Sequence, residues 1–274
     1  MALAALDWDP ESPRMIDLPD ASTFAAVLSE RRFMLAAAIA AIAGAARGFA
    51  GFGSALIYVP LISAVYEPKI AAVSLLLIDS ATGVPVGVRA FPQCDWRDVG
   101  PIVAAALVLL PLGTFLLLVV DPTEMRWFIA VFVLFALPLL AGGWRYHGKP
   151  RLPISLAVGG LAGLTSGAVQ IGGPPVILYW LGGALKAAIV RANMFVFFGA
   201  LDVAGCINYF VEGLFSRESI ALAVLLGIPY TLLFLLGAIS FDRAPEKIYR
   251  WIAYAMIGFA GIFSLPIFDR LLQY

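Results

Sequence analysis

Two glycine-rich interruptions in apolar sequence limit what this chain can fold into. The first bend is residues 47–54, Arg-Gly-Phe-Ala-Gly-Phe-Gly-Ser, and the second bend is residues 167–175, Gly-Ala-Val-Gln-Ile-Gly-Gly-Pro-Pro. Each follows an Ala/Gly-rich apolar segment and leads into another, residues 55–65 and 176–185. Such a bend is typical of a helix broken at membrane depth, where protein or a water-filled cavity must surround the free backbone.

The balance of apolar and charged residues indicates a membrane protein. Of the 274 residues, 62% are hydrophobic and 13% are charged, whereas soluble domains have about 45–50% apolar and about 25% charged residues. Basic and acidic residues number 18 each, so no excess of basic charge indicates a nucleic-acid partner. We therefore predict an all-α polytopic protein whose surroundings are the lipid bilayer.

Residues suited to covalent or metal chemistry are sparse. The two cysteines, Cys94 and Cys206, are too far apart in the sequence to form a CxxC site, and the single histidine, His147, lies in a polar loop. An intramembrane serine protease needs a buried Ser and His, and a metalloenzyme needs clustered ligands. We expect no enzyme activity, no cofactor and no bound metal.

The order of apolar segments repeats in the two halves of the chain. A span needs about 20 apolar residues, and the pieces that flank each bend are shorter than that, which predicts a broken helix pair. Three segments of roughly spanning length follow each bend: residues 70–88, 99–120 and 127–143, then 189–211, 219–239 and 248–268. The predicted parts are a polar tail with an interfacial segment (1–32), a first transmembrane repeat (33–144), a basic linker (145–152) and a second transmembrane repeat (153–274).

The relative orientation of the repeats follows from the nature of the bends. If each bend belongs to a re-entrant helix pair, each half crosses the membrane three times and the repeats are inverted. If each bend only kinks one span, each half crosses four times and the repeats are parallel. The inverted arrangement places most basic loops on one face, in keeping with the cytoplasmic preference of Lys and Arg, although Arg31 and Arg32 argue against it. We favour inverted repeats and leave the parallel alternative open.

Both bends are candidates for binding an anion. A helix N-terminus presents unpaired N–H groups and the positive end of the helix dipole, and glycine lets a ligand approach the backbone closely. Broken helices at matching positions of two halves point to a transporter's binding site. The alternative is that the glycines only permit close helix packing. The candidate substrate-binding residues of the bends are Gly51, Phe52, Gly53, Ser54, Gln170, Gly172, Gly173 and Pro174.

Three ionisable residues lie within or beside apolar segments, where charge is costly and indicates function. The guanidinium of Arg47 is suited to bidentate contact with a sulfonate or carboxylate; the alternatives are snorkelling and pairing with a carboxylate such as Asp79. Asp79 and Asp202 lie in corresponding segments of the two halves. Either could exchange protons and couple transport to a proton gradient, or could instead hold helices together through hydrogen bonds.

The paired motifs GFAGFGSALIYVPL and SGAVQIGGPPVILYWL resemble those of the TauE/SafE family of sulfite exporter-like permeases, and the resemblance extends over residues 33–268. It implies transport of small sulfur-containing anions, such as sulfite or the sulfonate sulfoacetate, across the inner membrane of a bacterium. We accordingly expect a secondary transporter that works by alternating access. A membrane scaffold subunit and an intramembrane enzyme are the alternatives, and a homodimer is left open.

Overall fold

A computed structural model of the chain describes residues 18–50, 53–142, 151–180, 187–240 and 246–268. These residues form eleven α-helices and no strand, so the all-α prediction is confirmed. The first half contains α1 (Ala21–Ser29), α2 (Phe33–Ala50), α3 (Ser54–Val65), α4 (Pro68–Ala90), α5 (Trp96–Val119) and α6 (Pro122–Ala141). The second half contains α7 (Leu152–Val169), α8 (Gly173–Trp180), α9 (Ala187–Val211), α10 (Arg217–Ser240) and α11 (Glu246–Phe263).

Six of the described helical segments are long and apolar enough to cross a membrane. They confirm the prediction of a multi-pass membrane protein. Three shorter apolar helical segments lie at Phe33–Gly48, Ser54–Val65 and Tyr254–Phe263. The six are Pro68–Gln93, Trp96–Val119, Pro122–Ala141, Leu152–Val169, Ile189–Val211 and Arg217–Gly237.

Both bends are shorter than the sequence analysis predicts. Helix α2 continues through Arg47 to Ala50, and α7, expected to be a short helix, has 18 residues and ends at Val169. Helix α8 begins at Gly173 rather than near residue 176. Proline is compatible with the first turn of a helix, because the N–H that it lacks has no intrahelical partner there. The second bend is thereby reduced to residues 170–172.

Glycines on α7 let this helix pack directly against the backbone of α5. A Cβ atom added at Gly159, Gly163 or Gly167 would lie 2.2, 2.1 or 2.0 Å from a carbonyl oxygen of α5. Helix α2 packs on α10 in the same way, since a Cβ at Gly44 or Gly48 would lie 2.2 or 2.0 Å from a carbonyl oxygen of α10. These are the small-residue contacts that bring membrane helices close together. The packing alternative therefore accounts for Gly48 and Gly167, the first glycine of each bend motif.

Helices of each half pack on helices of the other half in reciprocal pairs. Helix α7 lies along α5 and α2 lies along α10, while α11 packs on α3 as α6 packs on α8. Helices α4 and α9 pair with each other. Reciprocal packing of this kind is expected of two structurally related halves. The duplication and the inverted orientation of the halves stay predictions. Most of the predicted linker 145–152, including His147, lies outside the described residues, as do residues 1–17 of the predicted tail.

The crossing of α4 and α9 places two carboxylates near the centre of the molecule. A Cβ at Gly87 of α4 would lie 2.8 Å from the carbonyl oxygen of Phe195, and one at Gly199 of α9 would lie 3.6 Å from the Cα of Gly87. The two backbones therefore touch at this crossing. Asp79 lies in the middle third of α4 and Asp202 in the middle third of α9, so both carboxylates are far from the helix ends.

We predict that Gly163→Ala lowers the free energy of unfolding by about 1–3 kcal/mol, because overpacking forces the two backbones apart. The matched control is Gly100→Ala on α5, where an added Cβ meets nothing within 4 Å. The control should be neutral or slightly stabilising, since alanine is the better helix former. Unfolding of purified protein in detergent, followed by tryptophan fluorescence, measures both, and equal stability of the two variants would contradict the packing described here.

Candidate functional site

A cavity of about 50 Å³ lies where both bends meet α4 and α9. Because a single water needs about 10–15 Å³ of such volume, the cavity has room for a few waters or for an ion of a few heavy atoms. Residues from six helices and both bends line it: Arg47, Gly53, Ser54, Ala55, Leu56, Asp79, Ser166, Gln170, Ile171, Gly173, Pro174, Ile177, Phe198, Leu201 and Asp202.

Most of the site residues predicted from the sequence meet at this cavity. Arg47, Gly53 and Ser54 come from the first bend, Gln170, Gly173 and Pro174 from the second, and Asp79 and Asp202 from the crossing helices. Gly172 does not line the cavity, because a Cβ there would lie 2.0 Å from the Oγ of Ser166 and 2.7 Å from the carbonyl oxygen of Ala162. The backbone of Gly172 therefore packs closely on α7, and its part in substrate binding stays a prediction. Gly51 and Phe52 lie outside the described residues.

Arg47 forms an ion pair with Asp79. A guanidinium nitrogen of Arg47 contacts the Oδ2 atom of Asp79, and the hydroxyl of Tyr230 donates a hydrogen bond of 2.6 Å to Oδ1. The two charged side chains are 11% and 12% exposed. Both oxygens of Asp79 therefore have partners, and the pairing alternative for Arg47 describes the structure. Tyr230 was not predicted, since an isolated tyrosine in an apolar segment carries no distinctive pattern.

Asp202 is buried beside this pair, and one of its oxygens has no hydrogen-bond donor in the described part of the chain. Its residue is 7% exposed, and its Oδ2 atom has no hydrogen-bond partner among the residues that the structure describes. A Cβ at Gly83 would lie 3.1 Å from the Nη2 atom of Arg47 and 3.2 Å from the Oδ2 atom of Asp202. The glycine on α4 thus leaves space in which the guanidinium and the second carboxylate face each other.

The N-terminus of α3 opens onto the cavity. Gly53 caps this helix with φ of 94°, a left-handed conformation that costs most other residues roughly 1–2 kcal/mol. A Cβ at Gly53 would meet nothing within 4 Å, so the backbone there faces open space. The following residue, Ser54, is 3% exposed. Free N–H groups of the first turn of α3 are therefore available at the edge of the cavity.

The second bend contributes an amide side chain from a strained backbone. Gln170 has φ of 58°, the only positive φ of a non-glycine residue in the described chain. Its Nε2 atom donates a hydrogen bond of 3.2 Å to the hydroxyl of Tyr209, which donates one of 2.8 Å to the carbonyl oxygen of Gly167. Non-glycine residues with positive φ cluster at functional sites. Gly173 and Pro174 follow and place the first turn of α8 on the cavity.

The other lining residues are apolar except for Ser166, which has a hydroxyl group. Most of them were not predicted from the sequence. Phe198 lines the cavity with Ile177 and Leu201. Ser166 also lines it and corresponds to Arg47 when the two bends are aligned at Gly48 and Gly167. That alignment is the one sequence signal that points to Ser166. It also shows that the position of the charged Arg47 in the first half is taken by a neutral serine in the second half.

The described residues contain no cluster of three or more His, Cys, Asp or Glu that could hold a metal ion. The chemistry of the lining is instead that of an ion-binding site: one cation, two carboxylates, hydroxyls, an amide and two helix N-termini. Enclosed by apolar helices, such a site defines a membrane transport protein more readily than a scaffold, because intramembrane charges mark substrate and ion pathways.

A family comparison places the protein within this class. The family model described as sulfite exporter TauE/SafE matches residues 36–264. The chain belongs to this family and is accordingly a membrane transporter of the anion- and sulfite-transporting type, not an enzyme. No curated protein and no solved structure matched the chain.

We predict that the Arg47–Asp79 pair is energetically coupled. Removing one partner leaves a buried uncompensated charge, so Arg47→Gln and Asp79→Asn should each lower the free energy of unfolding by about 3–5 kcal/mol. The double variant should lose clearly less than the sum, because it leaves neither charge unpaired. The control is Glu30→Gln at the more exposed Arg32–Glu30 pair, with an expected loss under about 1 kcal/mol. Unfolding in detergent measures all four variants, and additive losses would contradict coupling.

Proposed function

We propose that the protein is a secondary transporter of small sulfur-containing anions, such as sulfite or a short sulfonate, and that the anion binds in the cavity between the two bends. The observation that carries this proposal is the convergence of Arg47, the α3 N-terminus and the α8 N-terminus on one small cavity. Two helix N-termini and a guanidinium together favour negative charge. The family to which the chain belongs supports the same substrate class.

The donors around the cavity suit an anion with several oxygen atoms. The donors are backbone N–H groups after Gly53, the N–H of Gly173, the hydroxyls of Ser54 and Ser166 and the amide of Gln170, and they come from different helices and the second bend. Pro174 and Pro175 in the first turn of α8 have no N–H to add. A sulfur oxyanion offers three acceptor oxygens arranged around one atom. The small volume excludes large organic anions, while the apolar side formed by Phe198 and Leu201 can accommodate a short carbon substituent.

Arg47 acts here as half of an ion pair rather than as a lone cation. Its charge is largely compensated by Asp79, so the pair attracts an anion less strongly than an isolated guanidinium would. The ion pair also lowers the free-energy cost of burying the charged guanidinium at membrane depth. Arg47 can share its remaining N–H groups with a bound anion while Asp79 stays in contact.

Alternating access supplies the transport step of the proposal. The anion stays between the bends while one half of the molecule rocks or slides against the other. At the contacts of α7 with α5 and of α2 with α10, glycines bring the backbones together without interlocking side chains. We expect such contacts to permit sliding of one half against the other. Asp79 and Asp202 are the candidate groups for coupling this movement to a proton gradient across the inner membrane.

We predict saturable uptake of at least one sulfur anion into proteoliposomes of the purified protein. The panel consists of sulfite, sulfoacetate, methanesulfonate and acetate, each tested with and without an imposed pH gradient. The matched variant is Arg47→Gln combined with Asp79→Asn, which leaves the net charge of the site unchanged and should lose at least about tenfold in transport, since each charged hydrogen bond contributes about 1.5–3 kcal/mol.

Three controls accompany this flux experiment. Empty liposomes give the leak rate, Gly100→Ala reports any general effect of substitution, and fluorescence confirms that each variant is folded. If folded wild-type protein moves no member of the panel above the leak rate, the substrate proposal is wrong and the scaffold alternative gains support. Full transport by the double variant would exclude Arg47 from the binding site.

A further inference from the structure

The charges around the cavity do not balance. Arg47 and Asp79 compensate each other through direct contact, which leaves Asp202 as the uncompensated group. With Asp202 ionised, the cavity carries one net negative charge before an anion enters, and a monoanion would double it. Like charges at such short range in apolar surroundings repel strongly. An anion site built in this way needs a positive charge from outside the described side chains.

We propose that the cavity takes up one proton together with each anion, and that Asp202, not Asp79, holds it. This inference rests on the proposed function and names the coupling ion and its carrier. In the loaded state the carboxyl group of Asp202 is neutral and its O–H donates a hydrogen bond to an oxygen of the anion. The only covalent change is the transfer of a proton from water on one side of the membrane to a carboxylate oxygen, and its release on the other.

The partners of the two carboxylates distinguish their roles. Both oxygens of Asp79 have a partner, one the guanidinium of Arg47 and the other the hydroxyl of Tyr230. The Oδ2 atom of Asp202 is enclosed and has no partner among the described residues. A buried polar atom without a partner is costly, and a bound anion that accepts a hydrogen bond from the protonated carboxyl group supplies the missing partner.

The groups that face Asp202 from the surrounding helices favour this assignment. Asp79 faces it from α4 and Arg47 from α2, while Cys206 lies one turn further along its own helix. The second half of the chain adds two neutral polar groups to the described lining, Ser166 from α7 and Gln170 from the second bend. Arg47 is already committed to Asp79, so its attraction for Asp202 is reduced. A bound anion adds a second negative neighbour and thereby favours the protonated form of Asp202.

The coupling follows from linkage. If anion binding favours protonation of Asp202, protonation favours anion binding by the same factor. Where Asp202 is ionised in the empty protein, one proton taken up per anion makes the affinity fall about tenfold for each unit of rising pH. A monoanion then crosses with one proton and without net charge movement, so a pH gradient drives the transport and a voltage alone does not.

Calorimetry on the full-length protein in detergent tests the proton count. Methanesulfonate is the probe, because its sulfonate takes up no proton near neutral pH, so every proton counted belongs to the protein. Titrations in buffers of different ionisation enthalpy should give about one proton taken up per anion for the wild-type protein and about none for Asp202→Asn. Asp202→Asn should still bind the probe, with an affinity that no longer depends on pH.

Two comparisons make the assignment to Asp202 specific. Asp98→Asn removes another buried carboxyl group, one that accepts a hydrogen bond of 2.7 Å from Trp180 away from the cavity, and it should keep the proton uptake. An infrared difference spectrum of the wild-type protein should show a protonated carboxyl band on addition of the anion, absent from the spectrum of Asp202→Asn. The spectrum of the wild-type protein tests the proposal even if the variant does not fold.

The outcomes separate this inference from the function on which it rests. Binding without proton uptake, or binding that requires Na⁺ in place of a proton, overturns the inference and leaves anion transport standing. Proton uptake that persists in Asp202→Asn overturns the assignment to this residue. If folded protein neither binds methanesulfonate nor moves any member of the flux panel, the proposed function and the inference fall together.

Discussion

The buried ion pair between Arg47 and Asp79 is the interaction on which the centre of this molecule depends. Neither charge is tolerable alone among apolar helices, and together, with the hydroxyl of Tyr230, they satisfy each other. The pair joins α2 to α4 and, through Tyr230, to α10. It therefore holds the start of the first bend against α4, and both side chains line the cavity.

Close packing of glycine-bearing helices provides the frame around that pair. In a membrane, apolar side chains gain little by leaving lipid, so helix association relies on van der Waals contact and on polar partners. Gly163 and Gly167 bring α7 onto the backbone of α5, and Gly44 and Gly48 bring α2 onto that of α10. Packing and cavity formation involve different glycines: Gly44, Gly48, Gly163 and Gly167 pack on neighbouring backbone, whereas Gly53 and Gly173 line the cavity.

Much of the candidate site could be predicted from the sequence because membrane burial makes certain residues conspicuous. A glycine-rich break, an arginine and two aspartates stand out in apolar sequence, and Arg47, Asp79 and Asp202 do meet at the cavity. Helix ends were less predictable, since helical hydrogen bonds continued through Arg47 and Gly167 where glycine content indicated a bend. Gly172 proved to be a packing position, because what fills the space beside a glycine depends on other helices.

The sequence by itself determined the membrane environment, the all-helical class, the two broken helices and the family, because hydropathy and local motifs do not depend on distant contacts. Only the tertiary structure decided which carboxylate Arg47 pairs with, that Tyr230 completes the pair, and that the Oδ2 atom of Asp202 has no hydrogen-bond partner within the described part of the chain. These contacts join separate helices, and Tyr230 lies 151 positions after Asp79. Nothing in the local sequence distinguishes Asp79 from Asp202. The physical reason is that the balance of a buried charge is set by all of its neighbours in space.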